Sequence, residues 1–269
     1  MRAKKRVVAA ALLLCLLSAC DVGRSGGEIT FRDDGDAEED VAVTNGPSPD
    51  ERAAEGKRDE PRRPKSRFAF PRAGSYVYSQ EGYEEFCTPT CAGDPLPRTR
   101  SAIVSYGAGS RNAIVVIETT RVSSQRTLRT VTRHTRGAAR VAEVVDTFTR
   151  DETRHRIRYR PAPTIETLEL PLRPGSAWAG AWRGTTSGSY RMSVGGFDRI
   201  QTAGRSIRAA RIVVRMGFRG RYDGYGVVTL WVDPTSRVTV ASVGSIEVSS
   251  GFGRYTSDFD TRLRQGPGY

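Results

Sequence analysis

Histidine, cysteine and long apolar runs are all scarce in this chain of 269 residues. It has two histidines and four cysteines, and its longest membrane-directed apolar run is the eleven residues from Val7 to Leu17. A transmembrane helix needs about 20 apolar residues, which weighs against a multi-pass helical membrane protein. Four cysteines are too few for a zinc-cluster protein or a disulfide-dense toxin. With only His134 and His155, an HExxH metal site cannot be built. A P-loop is missing too, because Gly56-Lys57 is followed by Arg58 where the motif needs Ser or Thr. Gly23-Arg24-Ser25-Gly26-Gly27 spells G-x-S-x-G, but it lacks the strand–turn–helix setting that exposes such a serine. Lysine is absent beyond Lys65, and no segment after Leu17 keeps a helical apolar period over eleven residues.

What the chain does have begins at its N-terminus. Arg2, Lys4, Lys5 and Arg6 precede the apolar run, which has the length of a signal-peptide hydrophobic region. The run ends in Leu17-Ser18-Ala19-Cys20, which resembles the lipobox of bacterial lipoproteins. That resemblance implies cleavage before Cys20 and a diacylglyceryl group on its thiol, the one good nucleophile there. Two acyl chains hold a protein stably on a bilayer where one does not. The expected location is therefore the cell membrane, lipid-anchored on its extracytoplasmic face. Residues 21–65 carry 13 acidic and 8 basic side chains and the proline stretches Gly46-Pro47-Ser48-Pro49 and Pro61-Arg62-Arg63-Pro64. Such a composition buries too little apolar area to offset ordering, so it reads as a disordered tether. A coil of that length spans roughly 35–40 Å. The domain boundaries read from the sequence are thus a signal at 1–19, a tether at 20–65 and a folded domain at 66–269.

The folded part carries 30 basic residues, all of them arginine, against 17 acidic ones. Arginine in place of lysine, with much Ala, Gly and Val, resembles the G+C-rich coding of actinobacteria and accounts for part of the count. Period-two alternation runs through this region. Ala210, Ile212, Val214, Met216 and Phe218 share one face and Arg211, Arg215 and Arg219 the other. Tyr190, Met192 and Val194 alternate with Arg191 and Ser193, and Val238, Val240, Ile246 and Val248 form a further set. Turn signals recur at Gly195-Gly196, Ala203-Gly204, Asp223-Gly224 and Asp233-Pro234. The best helical stretch, 137–148, still reads as strand because of Val144-Val145 and Thr147-Phe148-Thr149. The expectation is an all-β fold: a strongly curved antiparallel meander of about 10–12 strands, half-barrel or barrel-like. With no apolar helix to cover it, such a sheet must curl, pack on itself or close.

The stretch Leu170-Pro171-Leu172-Arg173-Pro174-Gly175-Ser176-Ala177-Trp178, then Ala203-Gly204, Gly224 and Trp231-Val232-Asp233-Pro234, carries a resemblance. This order resembles secreted proteins with curved antiparallel sheets, similar in shape to the LolA/LppX type of lipoprotein carriers. It covers residues 74–250 and implies a concave face, but the chain lacks the helices that plug that face in the carriers.

Candidate site residues are few. Cys87 and Cys91 flank Thr88-Pro89-Thr90 and are expected to pair as a local disulfide in an exported protein, since zinc would need two more ligands. His134 and His155 sit among arginines, which disfavours a general base, and both are read as solvent-facing. Glu118, Glu143 and Asp146 are expected to pair with arginines of neighbouring strands. Trp178, Trp182 and Trp231, with Tyr76, Tyr78, Tyr83, Tyr190 and Tyr225, are read as core or strand-face packing. Arg154, Arg156, Arg158 and Arg160 fall on one strand face, a row of guanidinium groups about 6.8 Å apart. No catalytic residue, metal or cofactor is expected, and the chain reads as a non-enzyme. Two functions fit: a binding module whose curved sheet takes an apolar or amphipathic envelope ligand, or an electrostatic adaptor whose arginine faces bind anionic lipid or polymer. Nucleic acid is not an expected partner for a cell-surface protein.

Overall fold

In a computed structural model the chain is described over residues 70–269, except 88–89, 108–112, 123–125, 151–152, 185–186, 221 and 252. The signal, Cys20, the Gly23–Gly27 pentapeptide and the tether lie outside the described residues. The elements of the first half are β1 (Gly74–Cys87), β2 (Cys91–Pro95), β3 (Thr99–Gly107), β4 (Ala113–Arg121), β5 (Arg126–Thr135), β6 (Ala138–Arg150) and β7 (Thr153–Tyr159). The second half comprises β8 (Ile165–Glu169), β9 (Ala177–Trp182), β10 (Ser187–Thr202), β11 (Arg205–Arg219), β12 (Tyr222–Val232), β13 (Thr239–Ser250) and β14 (Gly253–Gln265). No helix occurs among the described residues. The all-β expectation holds, with fourteen strands rather than ten to twelve. Two of the fourteen are strands of five residues, and β2 (Cys-Ala-Gly-Asp-Pro) has no apolar alternation by which to be recognised.

All fourteen strands form one antiparallel sheet in the order β7-β6-β5-β4-β3-β1-β14-β13-β12-β11-β10-β9. β2 pairs with β1 and β8 with β6. Each arm is a run of hairpins, and the first and last strands join the arms, with Tyr78 opposite Leu263 and Cys87 opposite Arg254. The longest hairpin, β10–β11, turns through Ala203-Gly204, whose φ values are +48° and +71°. A two-residue turn with both central residues at positive φ is the type I′ form that matches strand twist, and glycine meets it at little cost.

Alternation explains the curvature. The inner face buries Ala210, Ile212, Val214, Met216 and Phe218 of β11, while Arg211, Arg215 and Arg219 point outward. With no helix to cover it, the apolar face is buried by rolling the sheet on itself. The two edges come together without a continuous ladder. Ala162 and Arg183 exchange backbone hydrogen bonds of 3.1 and 2.8 Å. Trp178 Nε1 donates to the Glu166 carbonyl at 3.1 Å, and the Glu166 N–H donates to the Tyr190 hydroxyl at 3.0 Å. Trp182 is fully buried beside Tyr190 and Phe218. A Cβ on Gly188 would lie 2.4 Å from its ring, so glycine lets the indole press against the backbone. The packing role expected for Trp178, Trp182, Tyr76, Tyr78 and Tyr190 is observed, whereas Tyr83 and Tyr225 are exposed.

Candidate functional site

The expected disulfide joins Cys87 at the end of β1 to Cys91 at the start of β2, directly opposed in the register. Glu85 lies close to both sulfurs, but a bonded pair offers no thiolate to a metal. Cys87 and Cys91 therefore staple the hairpin.

The arginine row lies on the outer side of β7, the edge strand, and Arg154, Arg156, Arg158 and Arg160 are all exposed. It is not uniform. Glu143 on β6 accepts from Arg158 at 2.6 and 2.9 Å and from Arg160 at 3.1 Å, while Arg129 of β5 reaches its other oxygen at 3.2 Å. Burial pushes the Glu143 carboxyl up, but hydrogen bonds and charge from Arg158 and Arg160 outweigh this and hold it below the ordinary range. Arg154 and Arg156 stand opposite Thr149 and Thr147 and form no ion pair with a described carboxylate.

The same outer face continues across the arm. Arg121 on β4, Arg133 on β5 and Arg140 on β6 are exposed, and Arg133 lies directly opposite Arg140. Arg140 is tied to Glu166 at 2.8 Å. Among the described residues of β4–β7 and the residue after β7, eight arginines thus face out, against Glu143 on β6 and, on β8, Glu166 and the exposed Glu169. Like charges directly opposed on a sheet destabilise it, and the Glu166 carboxylate on Arg140 offsets part of that cost here.

The inner face holds a second set of charges, whose arginines Arg100, Arg126 and Arg237 were not singled out in the sequence. At one end of the interior Arg126 of β5 clamps Asp146 of β6 through contacts of 2.7, 3.1 and 3.3 Å. It also donates to Glu84 of β1 at 3.0 Å, and Glu84 accepts from the Tyr255 hydroxyl at 3.0 Å. The pairing expected for Asp146 with an arginine of a neighbouring strand is thus present, and it is buried.

Towards the other end, a cavity of about 90 Å³ lies between the two arms. Arg100, Glu118, Thr132 and His134 face it from β3, β4 and β5, and Met192, Val214, Leu230 and Val232 face it from β10, β11 and β12. Arg100 is buried, with its guanidinium 5.3 Å from the Tyr78 ring centre. Glu118 accepts from the Thr120 hydroxyl at 3.3 Å. Burial raises its carboxyl above the ordinary value, against the lowering by Arg100 and Thr120. Arg237, in the β12–β13 turn at φ +60°, reaches across to the carbonyls of Thr135 at 2.6 Å and Arg136 at 3.3 Å, and its guanidinium lies over Phe70.

His134 corrects the sequence reading. It is 6% exposed, lines this cavity, and its Nδ1 has no hydrogen-bond partner among the described residues. Burial, helped by the charge of Arg237, lowers its pKa to about 4, so it is neutral at physiological pH. Neighbouring arginines suggested solvent, but on a strand adjacent residues face opposite ways. Arg133 is outside because His134 is inside. The shared parity of Leu128, Thr130, Thr132 and His134 was the available signal. The His155 side chain lies outside the described residues.

No protein family, curated protein or solved structure matches this chain.

Proposed function

We propose that the chain is a membrane-anchored extracytoplasmic lipoprotein, held through Cys20, whose β4–β7 outer face binds anionic envelope components by their phosphate or carboxylate groups. The carrying observation is the imbalance among the described residues of that face, where eight arginines meet Glu143, Glu166 and Glu169 and Arg154 and Arg156 point into solvent. Guanidinium groups match phosphate and carboxylate in a two-pronged geometry that lysine lacks. The interior favours this reading over capture of an acyl chain, because its cavity is about 90 Å³ while pockets that hold drug-sized ligands measure roughly 300–1,000 Å³. This is a binding role without catalysis.

Reversing Arg154 and Arg156 to Glu removes the two guanidiniums that serve no described ion pair, so the fold should be retained. Each arginine near an anionic surface contributes about 1 kcal/mol, so affinity for phosphatidylglycerol vesicles or polyphosphate should fall at least about thirtyfold. Wild-type binding should also fade as salt rises. A folded double variant that binds as well as wild type refutes the assignment. The anchor has its own check: Cys20→Ala should leave the precursor uncleaved and without radiolabelled palmitate, and unchanged labelling refutes it.

A further inference from the structure

β7 ends the sheet with one edge open. Among the described residues it pairs with β6 alone, and no backbone hydrogen bond leaves residues 153–158 on the other side. The seam closes just beyond them. Tyr159 is buried against Gly184, and Ala162 exchanges backbone hydrogen bonds with Arg183. The open edge is therefore about 20 Å long, room for a strand of roughly six residues.

Such an edge presents unpaired N–H and C=O groups in a row and is a template for another strand. The side chains on it decide which strand. Arg154 and Arg156 are exposed at alternate positions, and their neighbours on β6 are the uncharged Thr149 and Thr147. A carboxylate for them therefore comes from the open side. A second β7 is a poor partner, because it sets its own arginines against these and like charges across a ladder repel. We propose that the open edge of β7 is a docking site for an extended acidic peptide segment of another protein, which adds as a strand with Asp or Glu at alternate positions facing Arg154 and Arg156.

This docking rests on the anion-binding reading of the outer face and names one partner for it. A polymer or a lipid headgroup supplies charge but no amide ladder. In strand addition the backbone bonds give affinity whatever the sequence, and the side chains give selection. Side chains two apart on a strand are about 6.8 Å apart on one face, so acids at alternate positions match the arginines in register. Acids in one block place half of their charge on the other face of the sheet.

Calorimetry of the full chain with the acetylated, amidated peptide Thr-Asp-Thr-Asp-Thr-Asp-Thr tests this. Two further peptides keep the same charges but are N-methylated at every second amide, one in each phase. The parent should bind at one site per chain. The peptide whose methyl groups meet β7 should bind at least tenfold more weakly, and the other should bind like the parent. Hydrogen exchange should slow at amides of residues 153–158 on binding. The Arg154→Glu, Arg156→Glu double variant should weaken the parent at least tenfold. The docking is overturned if the parent does not bind, if both methylated peptides bind as it does, if the protected amides lie elsewhere, or if the folded double variant binds as wild type. Polyphosphate run in parallel separates the two readings: if it binds wild type and is lost in the double variant while the parent peptide fails, the strand addition falls and the anion-binding face stands. If polyphosphate and peptide both fail, both readings fall.

Discussion

Asp146→Ala is expected to destabilise the folded chain by about 3 kcal/mol, the lower end of the 3–5 kcal/mol range for breaking a buried ion pair. Asp146 is 0% exposed and receives both the Nε and Nη2 donors of Arg126, which is itself buried. Removing the carboxylate leaves a guanidinium in the interior with less of its charge compensated. Glu84 keeps its contact with Arg126 at 3.0 Å, which places the expected loss at the low end. The denaturant midpoint of the variant against wild type, with unchanged slope, gives the number. Replacing both partners by apolar residues of similar volume, Arg126→Met with Asp146→Leu, should recover most of the loss, because the cost lies in the stranded charge. A loss well below 1 kcal/mol for Asp146→Ala means that water already reaches the pair.

Acid should weaken the fold through His134. Its ordinary pKa of 6.5 falls to about 4 in the folded chain, first because of burial and then because of the Arg237 charge. The folded state thus disfavours the proton that the unfolded state accepts. The stabilisation is complete above pH 6.5 and is lost as pH falls towards 4, with a ceiling of about 3 kcal/mol. Glu118 acts in the opposite sense. Its raised carboxyl contributes stability below its ordinary 4.5 and loses it as pH rises through the folded value. Other acids titrate in the same window, so the informative quantity is a difference. His134→Leu should lose less stability between pH 7 and pH 4 than wild type, by about 2–3 kcal/mol. Equal losses in the two proteins would show that His134 takes up its proton without penalty.

The two faces of the longer, alternating strands were readable from the amino acids alone. Period-two patterns placed Ile212, Val214 and Met216 against Arg211 and Arg215, and put Arg154, Arg156, Arg158 and Arg160 on one side, because side chains alternate whatever the strand pairs with. The Cys87–Cys91 link was readable for the same reason, since a five-residue stretch brings its own ends together. Which residues of different strands meet was not readable. Glu143 gathers Arg129, Arg158 and Arg160 from two neighbouring strands and the residue after β7, and so divides a row that looked uniform. Tyr78 meets Leu263 across almost the whole domain. Arg100, Glu118, His134 and Arg237 converge from three strands and a distant turn, at positions where local charge pointed His134 to solvent. Alternation is a property of one strand, while neighbour and register are set by rolling the whole sheet to bury one face. The sequence alone therefore determined an alternating, arginine-studded β chain, and tertiary structure alone decided which of its charges stand in water and which are enclosed.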